Sequence, residues 1–212
     1  PGVTDFGLRR IDGEEWLVHG RSPLLRAADL RLRGRHNLAN ALAALALVSA
    51  IGLPAESAVS ALRSFPGLPH RCQWVASGNG VDWYDDSKGT NVGATCAAIA
   101  GLAEDRRLVL IAGGDGKGAD FAPLAEAARG RVRAAVLIGR DARRVAAALE
   151  PVADVCFATD MQSAVAVAGK LARPGEAVLL SPACSSLDMF RNFEERGAVF
   201  GDAARRFCGG AS

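Results

Sequence analysis

Short apolar runs alternate with helix-like segments through residues 108–181, and this alternation restricts the fold more than any other feature of the sequence. The strand-like runs are Leu108–Ala112, Val132–Ile138, Asp154–Phe157 and Ala177–Ser181. The intervening segments, near 121–129, 141–149 and 160–172, have helical apolar spacing. Strands connected through helices form right-handed crossovers, so the pattern predicts a doubly wound, mostly parallel α/β sheet of the Rossmann-like type. Ligands of such sheets bind beyond the carboxyl ends of the strands.

A β-hairpin is predicted to lead this sheet. Residues 72–77 and 81–85 have strand-like sequences, and the Gly-Asn-Gly turn between them is a hairpin signal. A helix is expected over residues 91–102, and a final amphipathic helix over residues 188–207.

The first 67 residues predict a separate unit. Two short strands, at residues 6–11 and 14–18, precede helices expected over residues 37–51 and 55–63. A Pro/Gly-rich segment at residues 65–69 then interrupts both patterns, which places the boundary between domains 1–67 and 68–212. Because two strands bury little core, we expect residues 1–67 to be the end of a domain whose bulk lies upstream.

Composition excludes several classes of function. The formal net charge is +2, and no basic run is long enough to follow a nucleic acid backbone. The apolar stretch at residues 38–54 is short, rich in small residues and interrupted by Asn40, so no membrane insertion is expected. The five cysteines are widely spaced without a C-x-x-C pair, which favours a reducing, cytosolic location.

Two polar clusters lie around the predicted domain boundary. Asn37 and Asn40 are three residues apart and share a helical face, where carboxamides can read the edge of an adenine ring. Taken alone, Asn37 is more simply interpreted as the cap of this helix. His70 and Arg71 follow the boundary, and a guanidinium there can clamp a phosphate or simply face solvent.

Three more clusters follow predicted strands. Residues 85–91 (DDSKGTN) place two carboxylates and a lysine before a helix. Residues 112–120 (AGGDGKGAD) lack the spacing of a Walker A loop or of G-x-G-x-x-G, so Lys117 is better interpreted as a charge for a carboxylate or phosphate. Residues 180–193 place Ser185 and Ser186 at an expected helix start, where N–H groups suit an anion. Cys184 has no neighbouring histidine in the sequence and is a poor candidate nucleophile.

Taken together, these blocks resemble the Mur ligase family. The resemblance rests on GRHNLAN (34–40), GLPHR (67–71), DSKGTN (86–91), GGDGK (113–117), SPACSSLD (181–188) and RNFEERG (191–197), in that order. Within the family, the Asp-Ser-Lys block is similar to that of the members that add D-glutamate. One departure is Gly89, where the family usually has alanine.

The resemblance implies a three-domain, ATP-dependent ligase that forms an acyl phosphate and joins D-glutamate to a UDP-linked muramoyl-alanine precursor. It implies that the chain carries the end of the central ATP-binding domain and the whole third domain, with the phosphate loop and the Mg²⁺ ligands lying upstream. A monomer acting on small molecules is expected, and this segment alone is expected to be inactive.

The resemblance also implies roles for single residues. Asn37 and Asn40 would lie near the adenine of ATP, and Arg71 and Asp86 would contact its phosphate and ribose. Catalytic roles fall to Lys88, Arg71 and Asp86. The D-glutamate site would comprise Lys88, Thr90, Lys117, Ser186, Leu187 and Phe193, with no metal ligand among these residues.

Three other functions remain open from the sequence. One is a family member that adds another amino acid. The second is a dinucleotide-binding oxidoreductase domain, although G-x-G-x-x-G follows none of the strands. The third is an amino-acid-binding module without catalytic activity.

Overall fold

The computed structural model describes residues 5–32, 34–104 and 106–210, which form two compact units divided between Gly67 and Leu68. The strands are β1 (Phe6–Ile11), β2 (Glu14–His19), β3 (Ser22–Arg26), β4 (Gln73–Gly78), β5 (Val81–Asp85), β6 (Leu108–Gly113), β7 (Val132–Ile138), β8 (Asp154–Phe157) and β9 (Ala177–Leu180). The α-helices are α1 (Arg35–Ala50), α2 (Val59–Ser64), α3 (Val92–Leu102), α4 (Ala122–Ala128), α5 (Ala142–Leu149), α6 (Met161–Leu171) and α7 (Phe193–Gly209).

The first unit is a three-stranded antiparallel sheet with helix α1. Its core contains Leu17, Leu25 and Leu45, all with no exposed surface. Strand β3 was not assigned from the sequence. The sequence predicted that α1 starts at Asn37, but the helix begins two residues earlier, at Arg35. The N-cap position, for which Asn37 was a candidate, is occupied by Gly34, with φ of 94°. The second predicted helix is a 3₁₀ turn over Ala55–Ala58 followed by α2.

The second unit confirms the predicted fold class. Its six strands are ordered β4-β5-β9-β6-β7-β8, and all except the leading edge strand β4 run parallel. The hairpin of β4 and β5 is therefore the antiparallel edge of an otherwise parallel sheet. Strands β7 and β8 have the bounds that their apolar runs predict.

Helices cover both faces of this sheet, which explains why its central strands are apolar throughout. Leu110 and Leu137 point to the face covered by α3, α4 and α5. Ile111 and Val136, their neighbours in sequence, point to the face covered by α6 and α7. Side chains alternate between faces along a strand, so burial on both sides requires every position to be apolar.

The final helix begins later than the sequence suggested. Helix α7 starts at Phe193, where the side chain of Asn192 accepts a hydrogen bond from Glu195 N at 2.8 Å and caps the helix. The predicted start at residue 188 was wrong because Ser186 O accepts bonds from Met189 N and Phe190 N, which close a separate turn. Among the described residues, no helix is long and apolar enough to cross a membrane.

Candidate functional site

Loops after four parallel strands lie along one edge of the sheet, because parallel strands end on the same side. Ala183 N donates to Gly89 O at 3.0 Å, while Asp115 and Ser185 exchange two main-chain bonds, 3.1 and 2.8 Å long. The structure thus joins three of the polar clusters that the sequence singled out. We call this edge the rim, comprising residues 85–91, 113–118, 139–141 and 181–188.

At one end of the rim, His70 is held by Asp85. His70 Nδ1 lies 2.7 Å from Asp85 Oδ2, and Asp85, only 2% exposed, also accepts a bond from Ser87 N at 2.8 Å. His70 O accepts a bond from Lys88 N at 3.1 Å, and its ring lies edge-on to that of Phe193. The partners of the Asp85 carboxylate are therefore His70 and the amide of Ser87.

Asp86 is buried beside Asp85, and its carboxylate is bonded within the domain. Oδ2 accepts a bond from Ser181 Oγ at 2.6 Å, and Oδ1 accepts one from Cys72 N at 3.2 Å. Burial raises the pKa of Asp86 from 3.8 to about 6, although these hydrogen bonds to Ser181 and Cys72 act in the opposite direction.

Because of Asp86, part of the folding stability is expected to be lost as the pH rises. The pKa of about 6 in the folded protein exceeds the ordinary 3.8, so the folded state binds this proton more tightly than the unfolded chain. The contribution is complete below about pH 4 and disappears as the pH passes through 6. Relative to Asp86→Asn, we expect the free energy of unfolding to fall by roughly 2–3 kcal/mol across this window. Urea unfolding at pH 4 and 7 measures this; the same pH dependence in both proteins would contradict it.

Gly89 provides the space in which Asp86 and Ser181 meet. A Cβ at position 89 would lie 2.5 Å from Asp86 Oδ2 and 2.8 Å from Ser181 Oγ. Glycine therefore fits this position for a packing reason, since its φ is not in the left-handed range.

Gly89→Ala is expected to lower the free energy of unfolding by about 1–2 kcal/mol, because the bond between Asp86 and Ser181 must shift. Gly93→Ala is the matched control: in helix α3, its Cβ would meet no atom closer than 3.5 Å. That control is expected to stabilise the protein by about 0.5 kcal/mol through loss of unfolded-state entropy. Denaturant titration of both variants measures these free energies of unfolding. If Gly89→Ala stabilised the protein, the packing explanation would be contradicted.

Lys88 and Phe193, two predicted ligand contacts, lie against each other. Lys88 Nζ is 3.7 Å from the centroid of the Phe193 ring, a cation–π contact. Ser87 Oγ donates to Phe193 O at 2.8 Å, which ties this loop to the start of α7. Thr90, half-buried, follows in the same loop, and its N–H donates to Lys88 O at 2.8 Å.

Lys117 is exposed at the tip of the glycine-rich loop. The amides of Gly116 and Lys117 donate to the carboxylates of Asp141 and Asp115, at 2.8 and 3.0 Å. Since these N–H groups are turned inward to carboxylates, this part of the loop does not present them to a phosphate. The lysine side chain, in contrast, is exposed, and its predicted role as a charge for an anion stays a prediction.

Ser186 and Leu187 lie in the turn before α7. Ser186 is 4% exposed and Leu187 is 67% exposed. The expectation that Ser185 and Ser186 begin a helix was wrong, because Ser185 forms an extended bridge to Asp115 instead. Within the described part of the chain, no helix begins at Ser185 or Ser186, so the helix N-terminus expected at this position is not formed.

The predicted nucleotide contacts are divided between the two units. In the first, Asn40 Nδ2 donates to Asn37 Oδ1 at 3.4 Å, so the two side chains share a face of α1 as their spacing predicted. In the second, Arg71 is exposed and has no carboxylate partner among the described residues.

Arg196 supports the rim from helix α7, a structural role that the sequence did not reveal. Its guanidinium is buried and donates to Ser87 Oγ, Ser87 O and Cys184 O at 2.9, 2.8 and 3.1 Å. Arg196 thereby links two rim loops to helix α7. Burial lowers its pKa to about 10, which leaves it charged at neutral pH. One arginine in a charged helical sequence gives no sign that it is buried.

The described residues offer neither a reactive thiol at Cys184 nor a cluster of metal ligands. Burial raises the pKa of Cys184 to about 12, so this thiol is neutral and a poor nucleophile. All five cysteines are free. Across residues 5–32, 34–104 and 106–210, no group of three His, Cys, Asp or Glu side chains is placed to hold a metal ion.

A doubly wound, mostly parallel sheet with lysine, threonine and serine side chains along its carboxyl edge defines the second unit as a Rossmann-like α/β domain. More narrowly, the chain belongs to the Mur ligase family, since the model of the "Mur ligase, glutamate ligase domain" matches residues 70–184.

Similar proteins have consistent names. The chain is 55% identical over 205 residues to a UDP-N-acetylmuramoylalanine–D-glutamate ligase of Nitrosococcus oceani, covering 97% of the chain and 45% of the relative. It is 56% identical to the Pseudomonas putida protein of the same name, covering 96% and 46%. The chain thus spans about half the length of the curated relatives it matches.

Solved structures support the fold. A UDP-N-acetylmuramate–alanine ligase of Thermotoga maritima matches with a TM-score of 0.64 at 16% identity, covering 89% of the chain and 42% of that protein. A Mycobacterium tuberculosis folylpolyglutamate synthase complexed with ADP matches with a TM-score of 0.69 at 20% identity, covering 93% and 48%. At these identities the likeness concerns the fold alone.

Proposed function

We propose that this chain is part of an ATP-dependent ligase that adds D-glutamate to UDP-N-acetylmuramoyl-L-alanine in the synthesis of peptidoglycan precursors. The observation that carries the proposal is 55–56% identity, over almost the whole chain, to relatives with that name. The rim supports it, because one sheet edge brings together a lysine loop and a serine turn suited to a small dicarboxylate.

In the proposed reaction, this domain holds the amino acid. Lys117 would pair with one carboxylate of D-glutamate, while Ser186 and Thr90 would donate hydrogen bonds to the other. Leu187 and Phe193 would contact its methylene groups. The amine, left free, would attack the acyl carbon of the activated precursor, releasing phosphate and a proton. Holding the nucleophile in place lowers the entropic part of the barrier.

ATP, when bound, would supply the phosphoryl group that activates the precursor carboxylate, with Mg²⁺ neutralising its charge. The exposed guanidinium of Arg71 fits a phosphate contact, and the paired carboxamides of Asn37 and Asn40 fit an adenine edge. A ribose contact by Asp86 requires its carboxylate to accept one bond beyond those from Ser181 and Cys72, which its lone pairs allow. We place the Mg²⁺ ligands and the phosphate loop outside this segment.

We further propose that the enzyme works as a cytosolic monomer, since its substrates are small and water-soluble. A related ligase that adds another amino acid is the nearest alternative, because the fold does not distinguish between them.

A phosphate-release assay tests the proposal, using a protein of the relatives' full length that carries this segment. With ATP, Mg²⁺ and UDP-N-acetylmuramoyl-L-alanine present, D-glutamate should release phosphate, and L-glutamate should release far less. Equal rates with the two enantiomers, or release only with a different amino acid, would refute the proposed specificity.

A further inference from the structure

Contacts from three loops of the rim meet at Asp115, a residue with no assigned role. One carboxylate oxygen accepts a bond from Lys117 N at 3.0 Å, and the other accepts one from Arg140 Nη1 at 3.0 Å. Its main chain exchanges two bonds with Ser185, at 3.1 and 2.8 Å. The loops after β6, β7 and β9 are therefore connected through this one residue.

The bond to Lys117 N stabilises an unusual backbone conformation. Lys117 has φ of 50°, in the left-handed region that residues with a Cβ adopt rarely and keep only where their surroundings hold them. The loop also packs closely against the serine turn at Gly114, the residue before Asp115, since a Cβ there would lie 2.3 Å from Ser185 O. Asp115 thus helps to set the direction in which the lysine side chain leaves the main chain.

Ser186 is connected to Asp115 through the residue that precedes it. Its neighbour Ser185 exchanges two main-chain hydrogen bonds with Asp115, and this bridge joins the serine turn to the lysine loop. Arg140 is 64% exposed in its side chain and binds the Asp115 oxygen that does not contact Lys117. This ion pair holds the carboxylate in place between Arg140 and the lysine loop.

We propose that Asp115 is a positioning residue that sets Lys117 and Ser186 at the separation required by the two carboxylates of one glutamate. The inference rests on the proposed function, and it assigns to Asp115 a specific effect on amino acid affinity. The nucleotide contacts proposed for Arg71, Asn37 and Asn40 do not involve this network.

The test compares steady-state kinetics of Asp115→Asn and Asp115→Ala with the unsubstituted protein of full length. Asparagine keeps an acceptor for Lys117 N but loses the charge facing Arg140, whereas alanine loses both. We expect the KM for D-glutamate to rise roughly fivefold in the first variant and more than about tenfold in the second. The KM for ATP should stay within about twofold, because the proposed nucleotide contacts do not involve Asp115. A variant that only folded less well would have fewer active molecules but the same KM for D-glutamate and for ATP.

Asp120→Asn is the matched control. Asp120 is exposed in the same glycine-rich segment, and its carboxylate accepts a bond from Ala122 N at 2.9 Å, at the start of α4. This change removes the same charge without touching the rim, so its KM for D-glutamate should match that of the unsubstituted protein.

Two results would overturn the inference: a KM for D-glutamate in Asp115→Ala equal to that of the control, or equal rises in the KM values for D-glutamate and ATP. Failure of the unsubstituted protein to use D-glutamate would instead refute the proposed function, and it would be evident before any variant is measured.

Discussion

Lys117→Ala is expected to raise the dissociation constant of D-glutamate for this chain about thirtyfold. An ionised hydrogen bond contributes about 2 kcal/mol, which corresponds to a change of that size in affinity. Lys117 is exposed at the tip of its loop, and no described carboxylate forms a salt bridge with its side chain. Its charge is therefore available to a ligand, and its removal should leave the fold intact. Calorimetric titration of D-glutamate into both proteins measures the difference.

Lys170→Ala provides the control for the loss of a positive charge. Lys170 lies in the last turn of α6, which leads from the carboxyl edge of the sheet back toward the amino edge. Its replacement should leave D-glutamate binding unchanged. If Lys117→Ala binds as well as this control, Lys117 is not part of the amino acid site.

Arg196→Met is expected to destabilise the protein by about 4 kcal/mol, since it removes three buried hydrogen bonds and leaves their acceptors without partners. Those acceptors, Ser87 Oγ, Ser87 O and Cys184 O, lie on two different rim loops. Arg196→Lys should recover only part of this loss, because an ammonium group cannot reproduce the forked geometry of a guanidinium. Urea unfolding monitored by tryptophan fluorescence gives the free energies.

The control is Arg205→Met, in the same helix. Arg205 is 55% exposed and pairs with Asp202, which is 64% exposed, at 2.7 Å. An exposed pair of this kind contributes less than about 1 kcal/mol, so the loss should be small. Similar losses in Arg196→Met and Arg205→Met would show that the buried hydrogen bonds contribute little to stability.

Much of the architecture could be predicted because the sheet is covered on both faces. Strands β7 and β8 appear in the sequence as apolar runs of the right length, and the turn at residues 78–80 identifies the hairpin. The start of α7 was misplaced because Ser185 and Ser186 have the composition of a helix cap. In the structure, the main chain of Ser185 instead forms an extended bridge to Asp115, a residue far away in the sequence, and no helix begins there.

Candidate residues were easier to find than their partners. Lys117 and Asp86 belong to dense polar clusters that follow strands, which the sequence displays directly. The bond from Ser181 to Asp86 and the buried position of Arg196 depend on contacts between distant segments. Local patterns such as periodicity and capping signals contain no information about such contacts.

The most direct test is an amide NMR titration of this chain with D-glutamate, because it reports where the ligand binds. If the rim forms the amino acid site, the largest chemical-shift changes should fall on Thr90, Lys117, Ser186 and Leu187, which lie on three separate loops of one sheet edge. Helix α2 and the β1–β2 turn should not respond. Changes confined to one loop, or centred on residues away from the carboxyl edge, would contradict the account.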